Sequence, residues 1–212
     1  MTSTIEWAEF ALKPGVSEQQ MRQVSAEMQT AFLDQRPGFV WRHTVRLSEG
    51  RYADVVMWQN HEAAQTAMSQ AGASPACAAY FNLMEVGAAP LVGTAIDRFG
   101  AHPTWSGLEF SRFRLRAGAD PTQLAPAAAE MVQGLYAGTP GFVHHAVLNN
   151  GQGDYVDLLL ADSQARAESL CQSWGSGPDP EAYAPACRGY LSLIEPTSVQ
   201  MGFWETLPAK RT

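Results

Sequence analysis

Carboxylates recur at equivalent positions of this 212-residue chain, and each could act as a general base. Glu6 and Glu109 share the phase of apolar neighbours on segments that alternate like β-strands. If either side chain points inward, burial would raise the pKa of its carboxyl. The alternative is that each lies at a solvated strand end. Asp54 and Asp157 lie within other predicted strands, where aspartate is unfavourable. A hydrogen bond to a loop or to an arginine such as Arg42 would explain this position, and a place in a pocket is the alternative.

Histidine is the other candidate acid–base residue, because its charge changes near neutral pH. His43 is in phase with Phe39 and Trp41 on a predicted strand, and His144 takes the place of Trp41 further along the chain. His145 must then point to the opposite face, since successive strand side chains alternate. A hydrogen-bonded or exposed histidine is the alternative to a catalytic one. The predicted catalytic residues are His144, Glu109 and Asp157.

Aromatic side chains supply the area and the polar tips that a binding pocket needs. The predicted ligand-binding residues are Trp41, His43, Asp54, Trp58, Tyr80 and Tyr190. Core packing is the simpler role for the last three aromatic residues. No metal site is predicted, because adjacent strand histidines cannot both bind one ion and no third ligand lies close to them. The sequence also has no Ser-His-Asp order, phosphate-binding glycine loop or dinucleotide fingerprint.

The segments that would position these residues occur twice. Pro37–Val40 (Pro-Gly-Phe-Val) returns as Pro140–Val143, an offset of 103 positions, and the same offset aligns Asp54 with Asp157. The second copy gains seven residues over 174–180, and the two copies then realign at an offset of 110. The glycines and prolines of this insertion predict a loop at a cavity mouth or at the rim.

Each copy has the strand and helix pattern of a ferredoxin-like β-α-β-β-α-β unit. We predict an α+β fold in which residues 1–100 form the first ferredoxin-like repeat and residues 101–212 the second, joined near residues 97–103. Helices would cover only one face of each sheet. The bare faces are therefore expected to close on each other as an intramolecular dimeric α+β barrel.

The copies differ strongly just after the repeated motif. In the alignment of the two copies, Trp41 is equivalent to His144 and Trp58 is equivalent to Ala161. The two cavities therefore cannot be equivalent. The second copy has the histidine and the inserted loop, whereas the first has more aromatic filling.

Composition excludes several classes of function. The net charge is −7, with 14 basic and 21 acidic residues, which argues against a nucleic-acid surface. No apolar run approaches the roughly 18–20 residues that span a bilayer. The three cysteines have no zinc-site spacing, and the first residues do not resemble a signal peptide. We therefore expect a cytoplasmic protein with free thiols.

Several segments resemble antibiotic-biosynthesis-monooxygenase-like proteins in both copies. They include Glu-(x)3-Phe-x-Leu-Lys-Pro-Gly-Val at residues 6–16, Gln-Arg-Pro-Gly-Phe at 35–39, Asp-Val-Val-Met-Trp at 54–58 and Ser-Val-Gln-Met at 198–201. The resemblance implies the dimeric α+β barrel. That superfamily contains cofactor-free oxygenases of quinols and anthrones as well as haem-degrading enzymes. The Asn, Trp and His set of the haem-degrading branch cannot be placed on either copy, so no cofactor is expected.

Two functions remain open at this point. The first is a module that binds a small apolar or aromatic molecule in a pocket between sheet and helices. The alternative is a cofactor-free monooxygenase of a quinol- or anthrone-type substrate, which needs only an apolar pocket and one group to deprotonate the substrate. No nucleic-acid or membrane partner is expected, and self-association is left open.

Overall fold

The computed structural model describes residues 3–100, 104–176 and 180–207. Parts of the predicted joint at 97–103 and of the insertion at 174–180 lie outside these residues. The chain divides into a first unit that extends to Thr94 and includes Leu207, and a second unit from Ala95 to Thr206. The boundary drawn from the sequence at residues 100 and 101 stays a prediction. Within the described ranges, no helix is long and apolar enough to cross a membrane.

The first unit has the strand order of a ferredoxin-like sheet. Its elements are β1 (Thr4–Leu12), α1 (Glu18–Ala31), β2 (Phe39–Ser48), β3 (Arg51–Trp58), α2 (His61–Ala71), α3 (Pro75–Phe81), β4 (Met84–Val86) and the start of β5 (Leu91–Gly100). Strand β1 pairs with β3 on one side and with β4 and β5 on the other, and β3 pairs with β2. Ser17 caps α1 by accepting a hydrogen bond from the Gln20 amide, and Asn60 caps α2 by accepting one from the Ala63 amide.

The second unit repeats this order. Its elements are β6 (Gly107–Phe113), α4 (Leu124–Met131), β7 (Phe142–Asn149), β8 (Tyr155–Ala161), α5 (Gln164–Gln172), α6 (Pro185–Leu193) and β9 (Gln200–Glu205). Strand β6 pairs with β8 and β9, and β8 pairs with β7. A π-helical segment, Val132–Tyr136, prolongs α4. The predicted α+β fold and its tandem ferredoxin-like repeats are confirmed.

Equivalent aromatic residues pack alike in the two cores. Phe10 stacks on Tyr52 with ring centroids 5.7 Å apart and meets Tyr80 edge-on at 6.0 Å. The corresponding distances in the second unit are 5.8 and 6.1 Å, between Phe113, Tyr155 and Tyr190. Each such pair contributes about 0.5–1.5 kcal/mol beyond its buried area. The repeat is therefore a repeat of packing as well as of sequence.

The glycine of the repeated motif is required by the backbone. Gly38 and Gly141 have φ angles of 81° and 84°, which favour glycine. A Cβ atom on Gly38 would lie 2.6 Å from the Cβ atom of Ala63, and one on Gly141 would lie 2.7 Å from a carboxylate oxygen of Asp162. The motif thus brings the start of a strand against the following helix region in both units.

A β-bulge follows the motif in both units and changes which side chains share a face. The register of β2 against β3 shifts between Phe39 and Trp41, and that of β7 against β8 shifts between Phe142 and His144. Phe39 consequently packs with the helix-side core, whereas Trp41 lies on the opposite face. The predicted common phase of His43, Trp41 and Phe39 is therefore wrong with respect to Phe39, because a bulge adds one residue to the alternation.

Candidate functional site

A cavity of about 960 Å³ lies between the sheet and the helices of the second unit. This volume suits a small organic ligand. The sheet contributes Ser111, Phe113, Asp157, Met201 and Phe203 to its lining, and the helices contribute Glu168, Cys171, Gln172, Arg188, Tyr190, Leu191 and Ser192. A pocket between sheet and helices is the kind of site that the sequence predicts.

Asp157 on β8 is at the centre of a buried polar cluster in the cavity wall. Its Oδ1 atom lies 2.7 Å from Nε2 of His145, and its Oδ2 atom accepts a hydrogen bond of 2.7 Å from the Tyr190 hydroxyl. His145 and Tyr190 are fully buried, and Asp157 is 3% exposed. Nδ1 of His145 has no hydrogen-bond partner among the described residues.

The strand pairing and α6 bring these three side chains together. His145 lies opposite Leu159, and Val147 lies opposite Asp157, so His145 and Asp157 share the helix-facing side of the sheet. Tyr190 comes from α6, which begins with a proline at its first turn. Burial raises the pKa of the Tyr190 hydroxyl well above its usual value, and the Asp157 charge raises it further. Tyr190 therefore stays a hydrogen-bond donor.

The π-helical segment supplies a second aromatic contact to the cluster. Tyr136 lies with its ring centroid 6.1 Å from that of His145, and its hydroxyl accepts a hydrogen bond from the indole of Trp174. Trp174 itself lines the cavity. Irregular turns of this kind are frequent at functional sites because they change the direction of one side chain.

A second carboxyl lies behind the cavity wall. Glu109 on β6 is 1% exposed and accepts a hydrogen bond from Ser111, which pairs with Asp157 across the strands. Burial raises the pKa of the Glu109 carboxyl well above its usual value, and the charge of Asp157 adds to the effect. Of the two alternatives for Glu109, the structure has the buried one and not a solvated strand end, and Ser111 rather than Glu109 lines the cavity.

In the first unit, the equivalent carboxylate is held by an arginine. Nη2 of Arg42 lies 2.7 Å from both oxygens of Asp54. The hydroxyls of Thr44 and Tyr80 also donate to Asp54, at 2.7 and 3.1 Å. Burial alone would lower the pKa of Arg42, but the charge of Asp54 together with Tyr80 and the hydrogen bonds to both more than offset this and raise it above the usual value. The predicted hydrogen bond between Arg42 and Asp54 is observed.

His145 is the site residue that the sequence interpretation missed. Two signals could have identified it. The offset of 103 places His145 on Arg42 and Asp157 on Asp54, so the predicted Arg42–Asp54 contact transfers directly to His145 and Asp157. The bulge after Phe142 then turns His145 to the helix side, whereas simple alternation would have placed His144 there.

The predicted catalytic residues have separate locations. Asp157 lines the cavity, and Glu109 lies behind Ser111. His144 is fully buried on the face of β7 that points away from the helices of its unit and does not line the cavity.

The predicted ligand-binding residues also divide between two places. Tyr190 lines the cavity of the second unit, and the other five lie in the first unit. Asp54 and Tyr80 belong to the Arg42 cluster, and Trp58 is buried against Phe39 at a centroid distance of 5.7 Å. The remaining two, Trp41 and His43, lie with ring centroids 5.7 Å apart on the opposite face of β2, and burial together with the Arg42 charge lowers the pKa of His43 to about 4.

Comparison with known proteins shows the fold. No protein-family model matches the chain, and no curated protein matches it in sequence. A solved structure described as an anthrone oxidase-like protein matches with a TM-score of 0.57 at 12% identity, covering 98% of this chain and 92% of that one. A ferredoxin-fold protein from Listeria monocytogenes 4b F2365, described as uncharacterised and related to antibiotic biosynthesis monooxygenases, matches with a TM-score of 0.51 at 9% identity, covering 98% and 95%.

A third solved structure carries the name of a different reaction. It is described as a proposed chlorite dismutase and matches with a TM-score of 0.63 at 11% identity, covering 99% of this chain and 96% of that one. The likeness to proteins related to antibiotic biosynthesis monooxygenases is thus confirmed as a likeness of fold. Since one fold supports many chemistries, the reaction has to be argued from the site itself.

Proposed function

We propose that the second unit binds a small, mostly apolar aromatic molecule in its cavity, with Asp157 and Tyr190 holding a polar group of that molecule. The observation that carries this proposal is the cavity of about 960 Å³, in which largely apolar walls surround one buried polar cluster. Apolar walls favour binding by removing ligand surface from water, and a few polar groups orient the ligand.

The first unit provides an internal contrast. Its equivalent carboxylate, Asp54, already has Arg42, Thr44 and Tyr80 as hydrogen-bond partners. Among the described residues Asp157 has two partners, His145 and Tyr190, so its carboxylate has spare capacity to accept a hydrogen bond from a ligand. The replacement of arginine by histidine between the copies therefore separates a structural site from a binding site.

A matched pair of bulky substitutions tests the binding proposal. Cys171 on α5 lines the cavity, and Met68 is its equivalent on α2 and is 38% exposed. The test is a fluorescence titration with N-phenyl-1-naphthylamine, a neutral aromatic dye, with the dye excited at wavelengths beyond indole absorption. We expect saturable binding to the wild type and to Met68→Trp, and weakened binding to Cys171→Trp. Equal binding to all three proteins, or no binding to the wild type, would contradict the proposal.

A second candidate function is cofactor-free oxygenation of an anthrone-type substrate. The observation that favours it is that Asp157 lies in the wall of an apolar cavity with His145 and Tyr190 as partners, where it could accept a proton from an acidic CH₂ group. The resulting carbanion would reduce O₂, and the balanced reaction converts CH₂ and O₂ into C=O and H₂O. The catalytic group in this scheme is the Asp157 carboxylate.

Oxygen uptake with a panel of anthrones and quinols tests this second candidate. We expect uptake by the wild type, its loss in Asp157→Asn, and its reduction in Tyr190→Phe. Tyr80→Phe makes the same change in the first unit and is expected to keep the wild-type rate. Dye binding without oxygen uptake from any member of the panel would leave the binding function and reject the oxygenase.

Cellular location is a further part of this proposal. Cys77, Cys171 and Cys187 are free thiols, in keeping with a reducing cytoplasm. Cell fractionation checks it, and recovery in a secreted or membrane fraction would contradict it.

A further inference from the structure

The two arginines that line the cavity differ in what they already bind. All three guanidinium nitrogens of Arg188 are engaged. Nε donates to the Tyr183 carbonyl at 2.8 Å, Nη1 donates to the Glu181 carboxylate, and Nη2 donates to the Glu181 carbonyl at 3.0 Å. Arg116 donates only Nε–H, to the Ile194 carbonyl at 2.9 Å. Its two terminal nitrogens make no hydrogen bond to the described residues, so they are available to a ligand.

The backbone holds Arg116 at one edge of the cavity. Its amide donates to the Leu193 carbonyl at 2.8 Å, and Leu115 forms an antiparallel bridge with Ile194. Arg116 is therefore attached to the C-terminal end of α6, the helix that also carries Tyr190. One anchored nitrogen limits the positions that the guanidinium can take, which lowers the entropy lost when a ligand binds.

The carboxylates near Arg116 have other partners. Glu168 lines the cavity and accepts a hydrogen bond from Gln164 at 2.9 Å. Glu195 accepts from Thr197, whose hydrogen bonds together with the charge of Arg116 lower the pKa of that carboxyl. Neither carboxylate forms an ion pair with Arg116 within the described part of the chain. Both nonetheless reduce the local positive potential, so an anion must bind Arg116 at short range to gain from it.

The two polar ends of the cavity are separated by an apolar stretch. Ser111, which pairs with Asp157, lies on β6, and Arg116 lies three residues beyond the last residue of that strand, Phe113. The side chains between and above them include Phe113, Leu191 and Ile194. The cavity thus has a hydrogen-bonding group at one position, an apolar middle, and a cation at the other.

We propose that the ligand is an elongated aromatic anion. Its acidic group, a carboxylate or another planar or tetrahedral oxoanion, accepts paired hydrogen bonds from the terminal nitrogens of Arg116. Its ring system occupies the apolar middle, and a hydroxyl group donates a hydrogen bond to Asp157 beside Tyr190. This inference rests on the proposed binding function and specifies the class of ligand that the cavity selects.

A pair of dyes with one skeleton tests the inference. 1-Anilinonaphthalene-8-sulfonate is N-phenyl-1-naphthylamine with an added sulfonate, so their affinity ratio measures recognition of the anion. We expect Arg116→Gln to weaken sulfonate binding about three- to fivefold, because it removes one charge-assisted interaction at an exposed arginine. Binding of the neutral dye should change by less than about twofold. Arg114→Gln is the matched control and should leave the ratio unchanged, because Arg114 is on the same segment but does not line the cavity.

The outcomes separate this inference from the function on which it rests. Arg116→Lys keeps the charge and should retain part of the preference for the sulfonate. An unchanged affinity ratio in Arg116→Gln, or an equal loss of both dyes, would assign Arg116 a structural role and overturn the inference while leaving neutral-dye binding in place. If the wild type does not bind the neutral dye, the binding proposal itself fails, and the inference fails with it.

Discussion

Replacing each repeated aspartate by asparagine should have unequal effects on stability. Asp54→Asn removes the counter-ion of Arg42 in the first unit, and Asp157→Asn makes the same chemical change beside His145 in the second. If Asp54 is an anchor and Asp157 a site residue, the first substitution should lower the free energy of unfolding more than the second. Equivalent positions in one chain make each variant the control for the other.

The contacts give the magnitudes. The Asp54 and Arg42 side chains are only 12% and 5% exposed, and breaking such a buried ion pair costs about 3–5 kcal/mol, since the remaining charge is left uncompensated. Arg42 cannot escape this cost by losing its proton, because an arginine side chain stays protonated in proteins. Asp157 has a histidine and a tyrosine as partners and no arginine. Replacing it by asparagine should therefore lower the free energy of unfolding by about 1–3 kcal/mol.

Thermal unfolding followed by tryptophan fluorescence measures the difference. For a chain of this size, about 1 kcal/mol corresponds to about 2–4 °C, so the two variants should differ in Tm by roughly 4–8 °C. Both units contain reporters, namely Trp7, Trp41 and Trp58 in the first and Trp105, Trp174 and Trp204 in the second. If the units unfold separately, each variant should shift the transition of its own unit.

Equal destabilisation by the two substitutions would refute this reasoning. Asp157 would then be as much a structural anchor as Asp54, and the exchange of Arg42 for His145 would have no functional meaning. The dye titration adds an independent criterion, because Asp157→Asn should change neutral-dye affinity whereas Asp54→Asn should not.

Three further perturbations follow from the same cluster. Tyr190→Phe removes a buried donor to Asp157 and should lower the free energy of unfolding by about 1–2 kcal/mol, as measured by urea denaturation. Glu109→Gln should remove the contribution of Glu109 to the pH dependence of stability. The pKa of Glu109 is raised in the folded protein. The wild type is therefore most stable below the unfolded pKa of about 4.5, and its stability falls as the pH rises towards the folded pKa. Urea midpoints between about pH 5 and pH 8 should therefore fall more in the wild type than in Glu109→Gln, and parallel curves would contradict this. Burial raises the pKa of the Cys171 thiol, so iodoacetamide should alkylate it much more slowly in the native than in the denatured protein, as measured by mass spectrometry.

Much of the fold could be predicted from the repeated motif. Glycine recurs at positions 38 and 141 because both positions have a positive φ angle and lie close to the next helix region. Caps such as Ser17 and Asn60 were readable because capping depends on local hydrogen bonds to the following amides. Features of this kind depend on neighbouring residues and can therefore be predicted from a short stretch of sequence.

The site was only partly predictable. Asp157, Glu109 and Tyr190 could be proposed because carboxylates and tyrosines recur in both copies at predicted inward positions. His144 was preferred to His145 because alternation along a strand assumes one residue per pleat, and the bulge after Phe142 breaks that assumption. The bulge is seen in the pairing of β7 with β8 and not in the alternation of β7 alone.

The sequence by itself determined that the chain carries two ferredoxin-like copies and that they differ after the Pro-Gly-Phe-Val motif. The tertiary structure decided that His145 and not His144 reaches Asp157, and that the second unit has a cavity at this cluster. The physical reason is one of range. Backbone angles, caps and apolar periodicity act between neighbours, whereas a cavity and its hydrogen bonds depend on how separate strands and helices pack together.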